Sequence, residues 1–523
     1  MTIDLRLLKI FVALAVAASA LPCLAEPENE EAEGKAAAHV VLIIWDGMRP
    51  EFVTEEYAPT LWELARRGMT FRKHHSVYPT LTNVNATALA TGVTPARSGL
   101  IGNYEFRPAI DPTEPTRTEK AETIEKGDKV SEGKYLRVPT VAELVQAHGG
   151  RTVVAGTKAA ALLLGRNPGE DSEAVTLFEG ETRPPGALST LTEVLGPFPE
   201  KAIPNAAQEK WTSRALTEVL WKEEVPQFSV LWMSDPDRSE HEHGPGSRQA
   251  LAAIKSADDN LALVLHALEE KGVLDATDIL VASDHGFSTI ERSVNLPNLL
   301  REAGFKLVEK RAVPLMRGEI RVVGNGGTAL FYIGEKDEAT TSRLVDWLQL
   351  TDFAGVIFSR AALEGTFPLA DFHLDTPAAP DVVLAMRWND GANKEGVHGM
   401  IAATATKEAA EGTHGTLSPF DVHNMLIAAG PHFRKSVSDM PSSNLDLAPT
   451  ILRLLALEAP EPLDGRVLVE GFTGRQNAPK ESVVRTREAT RGTPKGLWRQ
   501  YVRTSETAGS IYIDEGNGEL QTE

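Results

Sequence analysis

Four apolar runs in this chain each adjoin residues able to ligate a cation. Asp46-Gly47 follows 39–45 (HVVLIIW). Ser234-Asp235-Pro236-Asp237, with His241 beyond it, follows 228–233 (FSVLWM). Ser283-Asp284-His285-Gly286 follows 278–282 (DILVA), and Gly412-Thr413-His414-Gly415 lies ahead of 424–429 (NMLIAA). An Asp at a strand end is commonly a turn residue or helix cap. Asp284-His285 alone reads as a turn pair, and His414 alone as a surface histidine. The recurrence is the informative point. Carboxylates and imidazoles at four separate strand edges form a set of O and N ligands converging on one rim. Without thiolates, such a set suits zinc, manganese or iron. Between them, Tyr78-Pro79-Thr80-Leu81-Thr82 precedes a helix-like run ending at Gly92. Thr82 reads either as a helix cap or as a nucleophile at the positive helix end, its hydroxyl activated by a cation.

The runs themselves say what must position these groups. Continuous apolar segments are the sign of strands buried on both faces, and another spans 152–155 (TVVA). Helical patterns lie between them. Pro59–Arg67 opens on proline; 140–148 stops at Gly149; 247–271 carries Leu251, Ile254, Leu261, Leu265 and Leu268 and stops at Gly272; another covers 445–455. Strands alternating with helices predict an α/β fold, a mostly parallel sheet with helices on both faces. Ligands of such a sheet bind beyond the carboxyl ends of the strands. Residues 39–290 and 396–474 read as two parts of this catalytic core. Residues 291–395, with short alternating segments at 306–309, 320–323 and Thr328–Ile333 and a helix near 338–350, read as an inserted α+β subdomain. Residues 475–523 read as a C-terminal tail with a hairpin near 500–520.

The chain has 523 residues, with 53 Lys and Arg against 73 Asp and Glu, a formal charge of −20. That balance argues against a nucleic-acid binder, which needs a basic face. It also repels small anions unless something local reverses the field. The 42% hydrophobic content is that of a globular protein. The single cysteine, Cys23, excludes a disulfide framework and a thiolate zinc cluster. It lies in the leader MTIDLRLLKIFVALAVAASALPCLA, where Arg6 and Lys9 precede an apolar run. Residues 1–25 read as a secretory signal peptide cut after Ala25, too short for a bilayer span of ~20 residues. Residues 26–38, with five Glu, read as a flexible acidic linker. The expected product is exported, periplasmic or extracellular, with no membrane span after cleavage.

Taken together, HVVLIIWDGMRPEF, YPTLTNVNATALATGVTPARSGLIGN, DPDRSEHEHGP, SDHGF and GTHGTLSPFDVHNMLIAAGPHF resemble the nucleotide pyrophosphatase/type I phosphodiesterase family of the alkaline phosphatase superfamily. The resemblance covers residues 39–460. It implies two divalent metal ions, zinc in the family. Asp237, His241 and His414 would hold one. Asp46, Asp284 and His285 would hold the other, with Thr82 as nucleophile on that second ion. Asn103 matches the family's donor to a non-bridging phosphate oxygen. His398 is a rival for His414, which is preferred because the segment after it leads into 424–429 and Gly430-Pro431. The implied reaction is hydrolysis of small phosphoric esters, with phosphodiester or pyrophosphate bonds preferred, through a phosphothreonine.

This chain departs from the pattern beside the nucleophile. Nucleotide-cleaving members carry an aromatic residue directly after the threonine, stacked on the base; here that residue is Asn83. Asn85 keeps the family's asparagine, but Ala86 replaces its histidine. Lys158 resembles the lysine that, with an arginine two residues later, grips the phosphate of monoesters in related threonine-type alkaline phosphatases. The arginine position is Ala160, with Arg166 nearby as a substitute. Read without the resemblance, Lys158 is a solvated surface lysine. The alternatives are an alkaline phosphomonoesterase on the same site or a phosphomutase-type enzyme. A sulfatase lacks its Cys/Ser-x-Pro-x-Arg segment near residue 82, and the full ligand set argues against a non-catalytic binding protein. His74, His75, Glu242 and His243 read as rim or solvent groups, and Trp45 and Trp232 as core.

Overall fold

The structure, a computed structural model, describes residues 36–166, 173–311, 314–404, 410–474 and 478–522. The leader and the glutamate-rich part of the linker lie outside the described residues. Among the described residues, no helix is long and apolar enough to cross a membrane.

The centre is a nine-stranded sheet whose middle strand is His39–Trp45. Thr277–Ala282 and Phe228–Met233 flank it, both parallel, and Thr152–Gly156 and Val175–Phe178 extend the parallel run. The apolar segments are continuous because each face of the sheet is covered. Val40, Leu42 and Ile44 face one core with Val84, Leu89, Val145 and Ile451, from helices on that side. Val41, Ile43 and Trp45 face the other with Leu61, Leu64, Ile254, Leu261 and Leu268. The helices end where their sequences predict. Arg248–Glu270 is capped by Ser247, whose Oγ accepts from Ala250 N at 3.2 Å. Val141–Ala147 opens on a Thr140/Glu143 capping box. Leu426–Ala429 differs from its neighbours: it runs antiparallel to Thr277–Ala282. Its amino end, not its carboxyl end, therefore lies at the ligand rim, and the His414 segment precedes it.

Among the described residues, five smaller sheets lie beyond this one. Glu319–Asn325, Thr328–Ile333, Val382–Met386 and Ala354–Ser359 make the middle of a six-stranded mixed sheet. Ser288–Ser293 pairs with His398–Ala403 and with Gly412–Thr413, so the expected boundary at 290 falls inside a strand. The C-terminal segment is a three-stranded antiparallel sheet, Val483–Thr493, Gly496–Thr507 and Ser510–Gln521. It is docked rather than trailing. Trp498 is fully buried among Phe331, Leu344 and Ile357, and its Nε1 donates to Gly365 O at 3.0 Å. Gln500 bonds both backbone groups of Ile357, at 2.8 and 3.1 Å, filling a gap on that strand.

Trp498→Ala removes the largest side chain holding this sheet down. It is expected to cost about 3–5 kcal/mol, read as an earlier midpoint in urea unfolding.

Candidate active site

The carboxyl edge of the sheet carries the chemistry. Asp46 follows the His39–Trp45 strand directly, and its carbonyl accepts from Asp237 N at 2.9 Å. Asp237 opens the short helix Asp237–His243, which also carries His241. Asp284 and His285 follow Thr277–Ala282, and His414 follows Gly412–Thr413. Gly47 lets these elements approach. It has φ +77°, donates its N–H to Asp284 Oδ1 at 3.0 Å, and a Cβ there would lie 2.9 Å from that of Asp237.

The three imidazoles are aimed alike. Nδ1 of His241 lies 2.9 Å from Gly412 O, that of His285 2.9 Å from Gly286 O, and that of His414 2.7 Å from Thr80 O. A backbone carbonyl on Nδ1 leaves Nε2 as an acceptor facing inward, the arrangement typical of metal-ligating histidines. Nε2 of His241 and of His414 come within 3.2 and 3.4 Å of Asp237 Oδ1. Nε2 of His285 lies 3.2 Å from Asp284 Oδ2 and 3.6 Å from Asp46 Oδ1. Ligand atoms of Asp237, His241 and His414 lie within 4.8 Å of one another, as do those of Asp46, Asp237 and His285. Asp237 thus faces both groups. Asp46 Oδ1, Asp237 Oδ1 and Asp284 Oδ2 are buried without any hydrogen-bond partner. Three orphaned carboxylate oxygens beside three inward nitrogens fit cations of the mixed N/O type.

The electrostatics show the same strain. Burial, with Asp284 next to it, raises Asp46 well above the ordinary carboxylate range despite Lys158. Asp284 is pushed up to about 7, chiefly by burial, with Lys158 opposing and Asp237 adding to it. Burial acts on Asp237 too, but Lys158 and His241 outweigh it and hold it well below its usual value. Burial brings His285 down to about 3 and His414 to about 4, so both imidazoles are neutral near neutral pH, the form a cation would need.

Thr82 is the first residue of the helix Thr82–Thr91, and its hydroxyl is not engaged in capping. Its Oγ1 lies 3.2 Å from His285 Nε2, beside the second Asp/His group. The turn before it is braced by Asn85, whose Oδ1 accepts from Val77 N at 2.7 Å and from Asn444 Nδ2 at 2.9 Å. Asn103 stands beside the helix that Thr82 opens. Its Oδ1 accepts from Asn83 N at 2.9 Å, which leaves its amide nitrogen as the donor end. Asn83 itself points elsewhere, donating to Thr118 Oγ1 and Glu119 Oε2.

Other candidates are sorted by where they land. His398 is exposed and lies against Asp390, away from the ligand groups. Arg166 is buried on Asp128 at 2.7 Å, so it makes no clamp with Lys158. His74 bonds Ser442 and Asn444 and lies outside the cluster. Lys158 is no surface lysine. Its Nζ lies 2.5 Å from Asp237 Oδ2 and 2.8 Å from Asp46 Oδ2. Trp232, a core residue by sequence pattern, also donates to Asp46 Oδ2, at 2.8 Å. Its pairing with Ile44 puts Trp232 level with the residue two before that aspartate, a register that strand assignment alone does not give. The outer oxygens are thus taken by Lys158 and Trp232, and the inner oxygens are left open. In chelator-stripped protein, Lys158→Met leaves buried carboxylates without a counter-charge and should cost about 3 kcal/mol. Metal-loaded protein should lose much less, so thermal midpoints in the two states check it; equal losses would count against this electrostatic role.

Comparison with known proteins follows the same lines. The type I phosphodiesterase / nucleotide pyrophosphatase family matches residues 40–416. Rat ectonucleotide pyrophosphatase/phosphodiesterase family member 3 is 20% identical over 460 residues, 85% of this chain and 45% of that protein. A venom phosphodiesterase of Macrovipera lebetinus is 24% identical over 280 residues, 51% of this chain and 28% of the venom protein. The chain spans less than half the length of these relatives. Among solved structures, an inactive variant of murine ectonucleotide pyrophosphatase/phosphodiesterase 5 in complex with AMP superposes with TM-score 0.59 at 16% identity. It covers 83% of this chain and 100% of that one. A variant of alkaline phosphatase PafA gives TM-score 0.60 at 14% identity, over 84% and 99% of the two chains. The alkaline-phosphatase-like α/β fold is therefore shared, and the chain belongs to the type I phosphodiesterase / nucleotide pyrophosphatase family.

Proposed function

We propose that this chain is an exported, metal-dependent hydrolase of phosphoric esters that prefers phosphodiester or pyrophosphate bonds and works through a phosphothreonine at Thr82. The observation that carries this is the uncapped Thr82 hydroxyl beside His285 and the orphaned carboxylate oxygens. Asp237, His241 and His414 would hold one divalent cation, and Asp46, Asp284, His285 and Thr82 a second. When bound, such a pair, zinc by the family resemblance, supplies positive charge that favours the ionised nucleophile and stabilises the reacting oxygens. Thr82 Oγ1 attacks phosphorus, the bond to the leaving oxygen breaks, and water then cleaves the phosphothreonine to restore the hydroxyl. The Asn103 amide donates to a non-bridging oxygen as its charge grows. The preference for diesters rests on Lys158. It is bound to two carboxylates, Ala160 stands where a second cation would, and Arg166 is tied to Asp128. A monoester's extra negative charge therefore meets no two-residue clamp. The N-terminal leader supports export.

With zinc present, bis(p-nitrophenyl) phosphate should give a higher kcat/KM than p-nitrophenyl phosphate; the reverse order favours the monoesterase. Thr82→Ala should abolish turnover with metal content by mass spectrometry unchanged. Asn103→Ala should lower kcat by about 10²-fold, measured on the diester.

A further inference from the structure

The residue after the nucleophile is turned out of the cleft, and the network that holds it leads to an exposed aromatic ring. Asn83 Nδ2 is 2.7 Å from Glu119 Oε2. Glu119, itself buried, pairs through its other oxygen with Arg117. Arg117 is the cross-strand partner of Tyr104, and its guanidinium lies 5.9 Å from the centre of the Tyr104 ring. Tyr104 follows Asn103, the residue bonded to the nucleophile's own helix.

Its backbone is pinned on the other side as well. Tyr104 N donates to Asn325 Oδ1 at 2.8 Å, and Asn325 Nδ2 donates back to Tyr104 O at 3.1 Å. The turn after Asn325 holds the His414 loop, with Gly327 N donating to His414 O at 2.8 Å. Tyr104 therefore stands on the rim between the nucleophile's helix and a ligand loop, with 41% of the residue exposed. An aromatic ring open to water, yet anchored at both backbone groups and backed by a cation, costs little ordering on contact with a flat partner.

We infer that Tyr104, backed by Arg117, is the platform on which a planar π-bearing ester group of the substrate, a nucleobase or aryl ring, stacks. Arg117 is already paired with Glu119, so its part is to hold and polarise the ring, not to bind a second anion. The substrate class is then an aromatic or nucleoside phosphoester, recognised by a residue outside the position next to the threonine. This rests on the proposed phosphoester site at Thr82.

The test is equilibrium binding, which does not depend on turnover. Metal-loaded Thr82→Ala protein is titrated calorimetrically with thymidine 5′-monophosphate and, separately, methyl phosphate. Adding Tyr104→Ala should weaken thymidine 5′-monophosphate about tenfold and leave methyl phosphate within about twofold. Tyr104→Phe should retain the parent's affinity for both. The inference is overturned if the nucleotide binds no tighter than methyl phosphate in the parent, if Tyr104→Ala leaves it unchanged, or if both ligands weaken alike. Wild-type protein that binds the nucleotide as expected but cleaves no diester would count instead against the hydrolase reading.

Discussion

The structure turns on three carboxylates held out of water with one ammonium between them. Asp46, Asp237 and Asp284 are each essentially unexposed, and Lys158 is the cation bonded to two of them. With all three ionised, two negative charges would stand uncompensated in a low-dielectric setting, and burial accordingly raises Asp46 and Asp284. Carboxylates stay there only if the backbone forces them together and something positive offsets the burial. The forcing comes from three adjacent parallel strands that end at one level, and from Gly47, which removes the side chain that would push Asp237 away. The offset fits cations, because the open oxygens all point at the imidazole Nε2 atoms. The same constraint orients the histidines: each commits Nδ1 to a carbonyl, which leaves its Nε2 lone pair facing the open oxygens.

Much of this arrangement is legible in the amino-acid sequence, for a physical reason. A strand buried on both faces must be apolar throughout, so its end is sharply marked, and a polar residue after that mark sits at the rim. Asp46, Asp237, Asp284 and His285 are found this way. His414 is harder, because it precedes the antiparallel Leu426–Ala429 rather than following a parallel strand, and only the family resemblance separates it from His398. The partners of the outer oxygens are not legible. Trp232 is apolar by type and alternates like its neighbours; only the sheet register brings its indole to Asp46. Lys158 has the composition of a surface residue and the position of a strand end. Its role depends on two aspartates more than seventy residues away along the chain. The C-terminal sheet is half visible. Its alternation of Trp498, Gln500, Val502 and Thr504 has the period of a strand, yet the interspersed arginines read as a solvated tail until the surface it covers is known.

The occupation of Lys158 also bears on the path by which an anion reaches so acidic a protein. The chain carries −20 overall, and a phosphate ester approaching a random face is repelled. Burial, then Arg238, lowers the Lys201 ammonium, with Glu179 opposing and Lys158 and Arg117 adding less. Lys158 and Arg117 are each paired with carboxylates, so the positive charge an anion meets must come from cations at the inner oxygens. Charge held there is longer-ranged than any hydrogen bond but is screened within about 8 Å at physiological ionic strength, so it would act on an anion over the last few ångströms and no farther. A site built this way keeps its carboxylates buried without making the molecule a general anion binder.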